Sequence, residues 1–344
     1  MRIVLFGMSA VSYWLSASRR PDRNSDVGGA CLKHCNPTAR AVDYVAAVLP
    51  QIPEPYHCLA PVNSRRLTGL PVLHTSRATY AKGSFCLIAD GIYAASPELC
   101  LLQIASSVSL HELVKVGSAL CGTFRIDPMS PGGLSTRRPL TTRKRIAAYV
   151  KAQAGLNGVK AARRALPHVF ERAASPPEVF LCMVLGLPRL YGGYGLDAGK
   201  VNHCMVPSKK AKALSGRSFL VPDLCWPETR LAIEYDSNSE HLSGTQAARD
   251  AKKRLALEHD GFRIITVTTS QLGCAADMRS VAEEVARHNG VPLRIRGKQF
   301  ARKHGELYRA GWSLARYSRA EWLVDGSRKE KEVAEVVPDF DSRA

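Results

Sequence analysis

The sequence predicts a two-part α/β chain: a smaller α+β domain at the N-terminus, and a C-terminal domain whose core is a small mixed sheet flanked by helices. Three observations lead there. Residues 218–268 read as strand, strand, helix, strand, the grammar of a compact α/β unit. Residues 1–125 show short apolar runs cut by turn residues and then two helices. Between these parts, residues 128–170 contain no Asp or Glu at all.

In chain order, Ile3 to Gly7 reads as a strand at the head of the apolar run Ile3 to Leu15. As a targeting peptide the run is poor, because Gly7, Ser9 and Ser12 break it and Arg19-Arg20 lie on the wrong side. Pro71 to Tyr93 alternates apolar runs with Lys82-Gly83 and Asp90-Gly91, which suggests small strands or hairpins. Ser96-Pro97-Glu98 opens a helix, since Ser caps, Pro fits the first turn and Glu complements the N-terminal dipole. A second helix covers Leu110 to Leu120. Met129 to Pro139, rich in Pro, Gly, Ser and Thr, reads as linker, and helix resumes at Thr141.

Ser175-Pro176-Pro177-Glu178 repeats the cap pattern before a helix to about Leu185, followed by the turn Tyr191-Gly-Gly-Tyr-Gly195. Ser218–Leu224 and Arg230–Tyr235 read as strands, Thr245–His259 as helix, and Phe262–Thr268 as a strand after an Asp260-Gly261 turn. A helix to about His288 and a basic tail complete the chain. The divisions are thus 1–125 (accessory domain), 126–170 (basic linker and helix), 171–290 (α/β domain), 291–325 (basic aromatic helical extension) and 326–344 (disordered tail).

The 344 residues carry 48 Lys plus Arg against 30 Asp plus Glu, a formal charge of +18. With 45% hydrophobic residues the chain still has material for a core, so the charge points to a polyanionic partner rather than to disorder. Half of the excess lies in the acid-free stretch, where Arg143, Lys144 and Arg145 form its densest cluster. Further on, Tyr308, Trp312, Tyr317 and Trp322 are interleaved with cations from Arg294 to Arg319. That pattern suits base stacking, or else a helix whose aromatics dock on the domain. No run approaches the 18 apolar residues of a bilayer span, so a cytoplasmic protein without membrane contact is expected. The ten cysteines contain no CxxC pair; Cys31, His34 and Cys35 lack a matching second half, and reduced thiols are the expectation.

The chemistry concentrates in FLVPDLCWPETRLAIEYDSNSEH, residues 219–241. Asp223 ends one predicted strand, and Glu234 and Asp236, two apart on the next, share a face. If the strands pair as a hairpin, Asp223 comes alongside that face. Three converging carboxylates repel unless protonated or neutralised, and a hard divalent ion such as Mg²⁺ answers this most simply. Such an ion activates water for attack on a phosphodiester. His241 is a candidate acid or base, and Glu178 is a further metal-side carboxylate or a first-turn residue favouring the helix dipole.

The order SPPE, VPDLCWPETRLAIEYDS, H and D-x-x-K-R-x-x-L-x-x-x-G-F-R-I-I-T-V-T resembles the PD-(D/E)xK nuclease superfamily over residues 170–288, and within it the very-short-patch-repair-like branch. The resemblance implies a restriction-endonuclease-like fold. It places metal at Asp223 and Glu234, with catalytic roles for Asp236 and His241. A helix bearing Asp250, Lys253 and Arg254 then approaches nucleic acid. The lysine of the usual Glu-x-Lys is Asp236 here, so the water-orienting cation is absent from that position. GMSAVSYW, GIYAASPELCLLQIA and LCG resemble the leading region that accompanies such modules in actinobacterial proteins, itself similar to the antitoxin regulator of abortive-infection systems.

The expectation is therefore a Mg²⁺- or Mn²⁺-dependent DNA endonuclease acting in repair or in defence against phage and mobile elements. RNA is left open as a substrate and a homodimer as an assembly. The alternative is a non-catalytic DNA-binding regulator or antitoxin on a degenerate nuclease fold.

Overall fold

The computed structural model describes residues 2–22, 32, 35, 37–60, 71–236, 244–295 and 298–314. His241 lies outside the described residues, as do Cys31, His34, Arg296, Arg316, Tyr317, Arg319, Trp322 and the tail from 326. The chain divides into two compact units, the first running to Glu171 and the second from Arg172 to Trp312. Both are mixed α/β, with mixed sheets flanked by helices.

The first unit comprises β1 (Ile3–Leu5), α1 (Gly7–Ser16), α2 (Ala39–Val48), β2 (His57–Ala60), β3 (Val72–Thr75), β4 (Phe85–Ala89), β5 (Ile92–Ala95), α3 (Pro97–Ile104) and α4 (Leu110–Leu120). The hairpin strands β6 (Phe124–Ile126) and β7 (Leu134–Thr136) follow, then α5 (Arg143–Ala152) and α6 (Val159–Ala165). Its sheet has the order β3-β2-β1-β5-β4, with β1 parallel to β5 and antiparallel to β2. Apolar β1 is buried throughout, so Ile3–Leu5 forms the sheet's centre. The cap residues act as their types predict: Ser96 Oγ accepts from Leu99 N, and Ser109 Oγ from Glu112 N.

Two expectations are corrected in this unit. Met129–Pro139 is not a linker, because Leu134–Thr136 pairs with Phe124–Ile126 as a hairpin. Arg137 does not face a polyanion: it is buried, with its guanidinium donating to Trp14 O, to Ala17 O at 3.2 Å and to Ala119 O at 2.9 Å. Those carbonyls lie at or beyond the C-terminal turns of α1 and α4, where the partial negative charge of two helix ends compensates a cation that has no carboxylate partner among the described residues. Burial pulls the guanidinium down to about 9.

The second unit comprises α7 (Pro176–Gly186), β8 (Lys200–Val201), α8 (Lys209–Ser215), β9 (Leu224–Trp226), β10 (Leu231–Asp236), α9 (Gly244–His259), β11 (Arg263–Thr268), α10 (Thr269–Gly273), α11 (Ala275–His288) and α12 (Lys298–Ala310). The sheet order is β11-β10-β9-β8. Strands β8, β9 and β10 are antiparallel, and α9 crosses over so that β11 runs parallel to β10. Leu231, Ala232 and Ile233 are fully buried, whereas Glu234, Tyr235 and Asp236 at the strand's carboxyl end are only partly covered. α7 is apolar on nearly every side and sits in the core, as such a composition requires.

α12 settles the reading of the aromatic tail where it is described. Phe300 and Tyr308 are buried, with Tyr308 edge-on to Phe180 at 5.4 Å; Trp312 packs on the same ring at 5.5 Å. These aromatics dock the helix rather than face solvent as a stacking platform. The approach is close: a Cβ on Gly192, whose φ is +86°, would lie 2.2 Å from Lys303 O, so only glycine admits α12 here.

Candidate functional site

The site is built where α7, the β8–β9 connection, β10 and α9 meet in the second unit. Ser175 caps α7, its Oγ accepting from Glu178 N, and the Glu178 carboxylate folds back over this turn. Glu178 Oε2 accepts from Ala174 N at 2.8 Å and from Asn202 Nδ2 at 2.7 Å, and Oε1 accepts from Ser175 Oγ at 2.9 Å. Asn202 follows β8 with φ of +45°, a conformation that asparagine tolerates better than most residues. Its backbone N–H donates to Asp223 O, and Nδ2 also reaches Arg172 O.

Asp223 immediately precedes β9 instead of ending the predicted strand, which forms at Leu224–Trp226. The antiparallel register pairs Leu224 with Ile233 and, carried one step on, sets Asp223 beside Glu234. Asp223 Oδ2 accepts from Tyr235 N at 2.7 Å, so the carboxylate itself extends the ladder. Lys253, from the crossover helix, donates to Glu234 Oε2 at 2.7 Å. Glu234 Oε1 is buried without a hydrogen-bond partner among the described residues.

Crowding of carboxylates in a poorly solvated corner governs the electrostatics. Glu178 is pushed up to about 7, first by burial and then by Asp223, against the pull of its three hydrogen bonds. Glu234 is likewise raised to about 7 by burial and by Asp223, with Lys253 opposing. Asp223 is raised by burial, while Lys253 and the Tyr235 N–H draw it back. All three shifts run the same way, so the corner disfavours three full negative charges.

Of the residues singled out from the sequence, Glu178, Asp223, Glu234 and Lys253 come together. Asp236 lies at the end of β10 beside Thr268 of β11. Arg254, on the same helix, donates to Thr266 Oγ1 at 3.1 Å. Arg143, Lys144 and Arg145 begin α5 in the first unit, where Arg143 N donates to Glu171 Oε1.

Sequence reasoning missed Asn202 altogether and did not foresee that Lys253 would meet Glu234. An asparagine after a short strand signals a turn at most; its partners lie up to thirty residues away. The donor set is all oxygen and suits a hard cation such as Mg²⁺ or Mn²⁺, and Glu234 Oε1 is the atom that such an ion would satisfy. Among the described residues no group of three or more His, Cys, Asp or Glu side chains is arranged to hold a metal. Glu178 is committed to its hydrogen bonds and Lys253 covers Glu234 Oε2, which leaves Asp223 and Glu234 as the pair with capacity for a cation.

Comparison of the chain with protein-family models, curated proteins and solved structures returns no match. No helix among the described residues is long and apolar enough to cross a membrane.

Proposed function

We propose that the second unit is a PD-(D/E)xK-type nuclease domain that hydrolyses phosphodiester bonds in DNA with Mg²⁺ or Mn²⁺. One observation carries this reading: Asp223 and Glu234 stand side by side at the carboxyl end of the sheet, with a buried oxygen of Glu234 unpartnered and a lysine against the other. The order α7, three antiparallel strands, crossover α9 and parallel β11 supports a restriction-endonuclease-like fold. Asp223 and Glu234 would hold the cation, which supplies charge neutralisation and a water of lowered pKa.

The chain's own groups do the rest. Lys253 supplies from the helix the cation missing at the Glu-x-Lys position; it orients Glu234 and can hydrogen-bond the attacking water or the phosphate. Asp223, tied to Tyr235 N, fixes the geometry of the strand edge. Glu178, raised by burial and by Asp223 and held by Ala174 N, Ser175 Oγ and Asn202 Nδ2, backs the Asp223–Glu234 pair and tunes its charge.

A second reading, a nucleic-acid-binding regulator without cleavage, is favoured by Lys253 already neutralising Glu234. The deciding experiment incubates purified protein with plasmid, mismatched duplex and RNA in Mg²⁺, Mn²⁺ or EDTA, beside D223A and E234A variants verified as folded by circular dichroism. Metal-dependent cleavage lost in both variants is the expected result. Unchanged nicking by both would overturn the assignment, and salt-sensitive binding without cleavage would select the regulator.

A further inference from the structure

The chain between β8 and β9 makes an excursion that the catalytic reading does not use. Met205 and Leu220 form an isolated antiparallel bridge, each donating its N–H to the other's carbonyl at 2.9 Å. Residues 206–219, VPSKKAKALSGRSF, loop out between them and contain Lys209, Lys210, Lys212 and Arg217 but no Asp or Glu. α8 lies inside this loop. Its inner side is anchored: Ala211 is fully buried with Leu220, Ala256 and Leu257, and Met205 and Leu214 pack against them. The four cations project outward and are exposed.

Two features combine on this surface. Several cations on α11, α12 and β11 have acidic partners: Arg279 has Glu283, Arg263 and Arg287 have Glu284, and Arg302 and Lys303 have Glu306. None of Lys209, Lys210, Lys212 and Arg217 makes an ion pair among the described residues; the nearby Asp260 is taken by Ser208 N at 3.0 Å. The second feature is apolar. Because Met205 and Leu220 turn inward, the next pair across the bridge, Val206 and Phe219, turns outward. Val206 is 79% exposed and Phe219 53%. A phenylalanine ring thus stands in solvent at the foot of an unneutralised lysine helix.

We infer that residues 206–219 are a platform for an unpaired nucleic-acid strand, with Lys209, Lys210, Lys212 and Arg217 on the phosphates and a base stacked on Phe219. Cations tracking a backbone beside an exposed aromatic face are the two elements that single-strand binding requires. A duplex needs only the cations, since its bases are already stacked. The inference rests on the proposed nucleic-acid-processing role and narrows its substrate to one with a single-stranded or extruded segment.

The test measures fluorescence anisotropy of a labelled single-stranded oligonucleotide and of the matching duplex against the full chain, over a range of salt. F219A and the triple variant K209A/K210A/K212A are compared with wild type. All four positions are exposed, and circular dichroism verifies folding. F219A is expected to weaken single-strand binding roughly ten-fold or more while leaving the duplex little changed. The triple variant should flatten the salt dependence by about two in log–log slope, at about 0.7 for each phosphate that is no longer neutralised. Equal weakening on both ligands in the triple variant with F219A silent would replace the platform by a duplex backbone contact. Self-association that F219A abolishes would assign the surface to a second copy of the chain and overturn the inference. Binding is read in EDTA, where no metal-dependent cleavage occurs, and cleavage is read separately in Mg²⁺, so a failure of cleavage and a failure of strand binding are told apart.

Discussion

Lys253 Nζ lies 2.7 Å from Glu234 Oε2 although the two residues come from different elements, the crossover helix α9 and the strand β10. The pair is poorly exposed, at 14% and 18% of side-chain surface, so the contact is better shielded than a surface salt bridge. It places a cation where the Glu-x-Asp order of the strand offers none.

K253M should therefore reduce metal-dependent cleavage by roughly 10²–10³-fold, the range for removing one preorganised electrostatic interaction, with little change in fold. Asp236 shares the face of β10 with Glu234, so K253M/D236K should recover part of the activity. Single-turnover cleavage assays check both. Equal inactivity of the double variant and K253M would mean that Lys253 acts through its helix position rather than its charge.

The raised carboxylates give a stability signature. Glu234 titrates near 7 when folded and near about 4.3 when unfolded, so between these values the folded chain binds more protons and stability falls as pH rises. E234Q removes that penalty. Urea denaturation should show the variant more stable than wild type at pH 8, by on the order of 1–3 kcal/mol, with the difference vanishing near pH 4.

Metal binding at Asp223 and Glu234 has to displace protons from this corner. Mg²⁺ affinity should rise up to about ten-fold per pH unit between pH 6 and 7 for each proton released, and level off above pH 8. Calorimetry in two buffers of different ionisation enthalpy counts the protons. A pH-independent affinity would place the ion elsewhere.

Asn202 is a positioning residue by geometry, with its side chain on Glu178 and Arg172 O and its backbone on Asp223 O. N202G keeps the left-handed backbone and loses the hydrogen bonds; N202A loses both. Stability should follow Asn, Gly, Ala, with the first step costing about 1–3 kcal/mol. Because the Asn202 hydrogen bond holds Glu178 down, the acid limb of any cleavage profile should move to higher pH in N202G, a change that a purely structural role would not produce.

Arg137 in the first unit should be equally sensitive for a different reason. R137M leaves the carbonyl ends of α1 and α4 without their donor, and R137K cannot span both with one ammonium. A destabilisation of about 2–4 kcal/mol is expected for either variant, read by thermal or denaturant unfolding.

Local chemistry was legible in the sequence wherever one short segment decides it. Ser96 and Ser175 cap the helices that they announce, Leu110–Leu120 is helical over the span its periodicity predicts, and the alternation in 231–236 puts Glu234 and Asp236 on one side of a strand. The Asp223–Glu234 approach was also readable, because a hairpin register links them. Composition alone could not say which cations are free. Arg137 and the residues 206–219 both look basic in sequence, yet the first is sealed between two helix ends and the second stands in solvent. The sequence left the aromatics near α12 open between stacking and docking; Tyr308 docks on Phe180, since amphipathic helices hide whichever face finds an apolar partner. Lys253 on Glu234 and Asn202 on Glu178 depend on a crossover and a strained turn that bring distant segments within hydrogen-bond reach. That proximity belongs to the fold, and no local pattern encodes it.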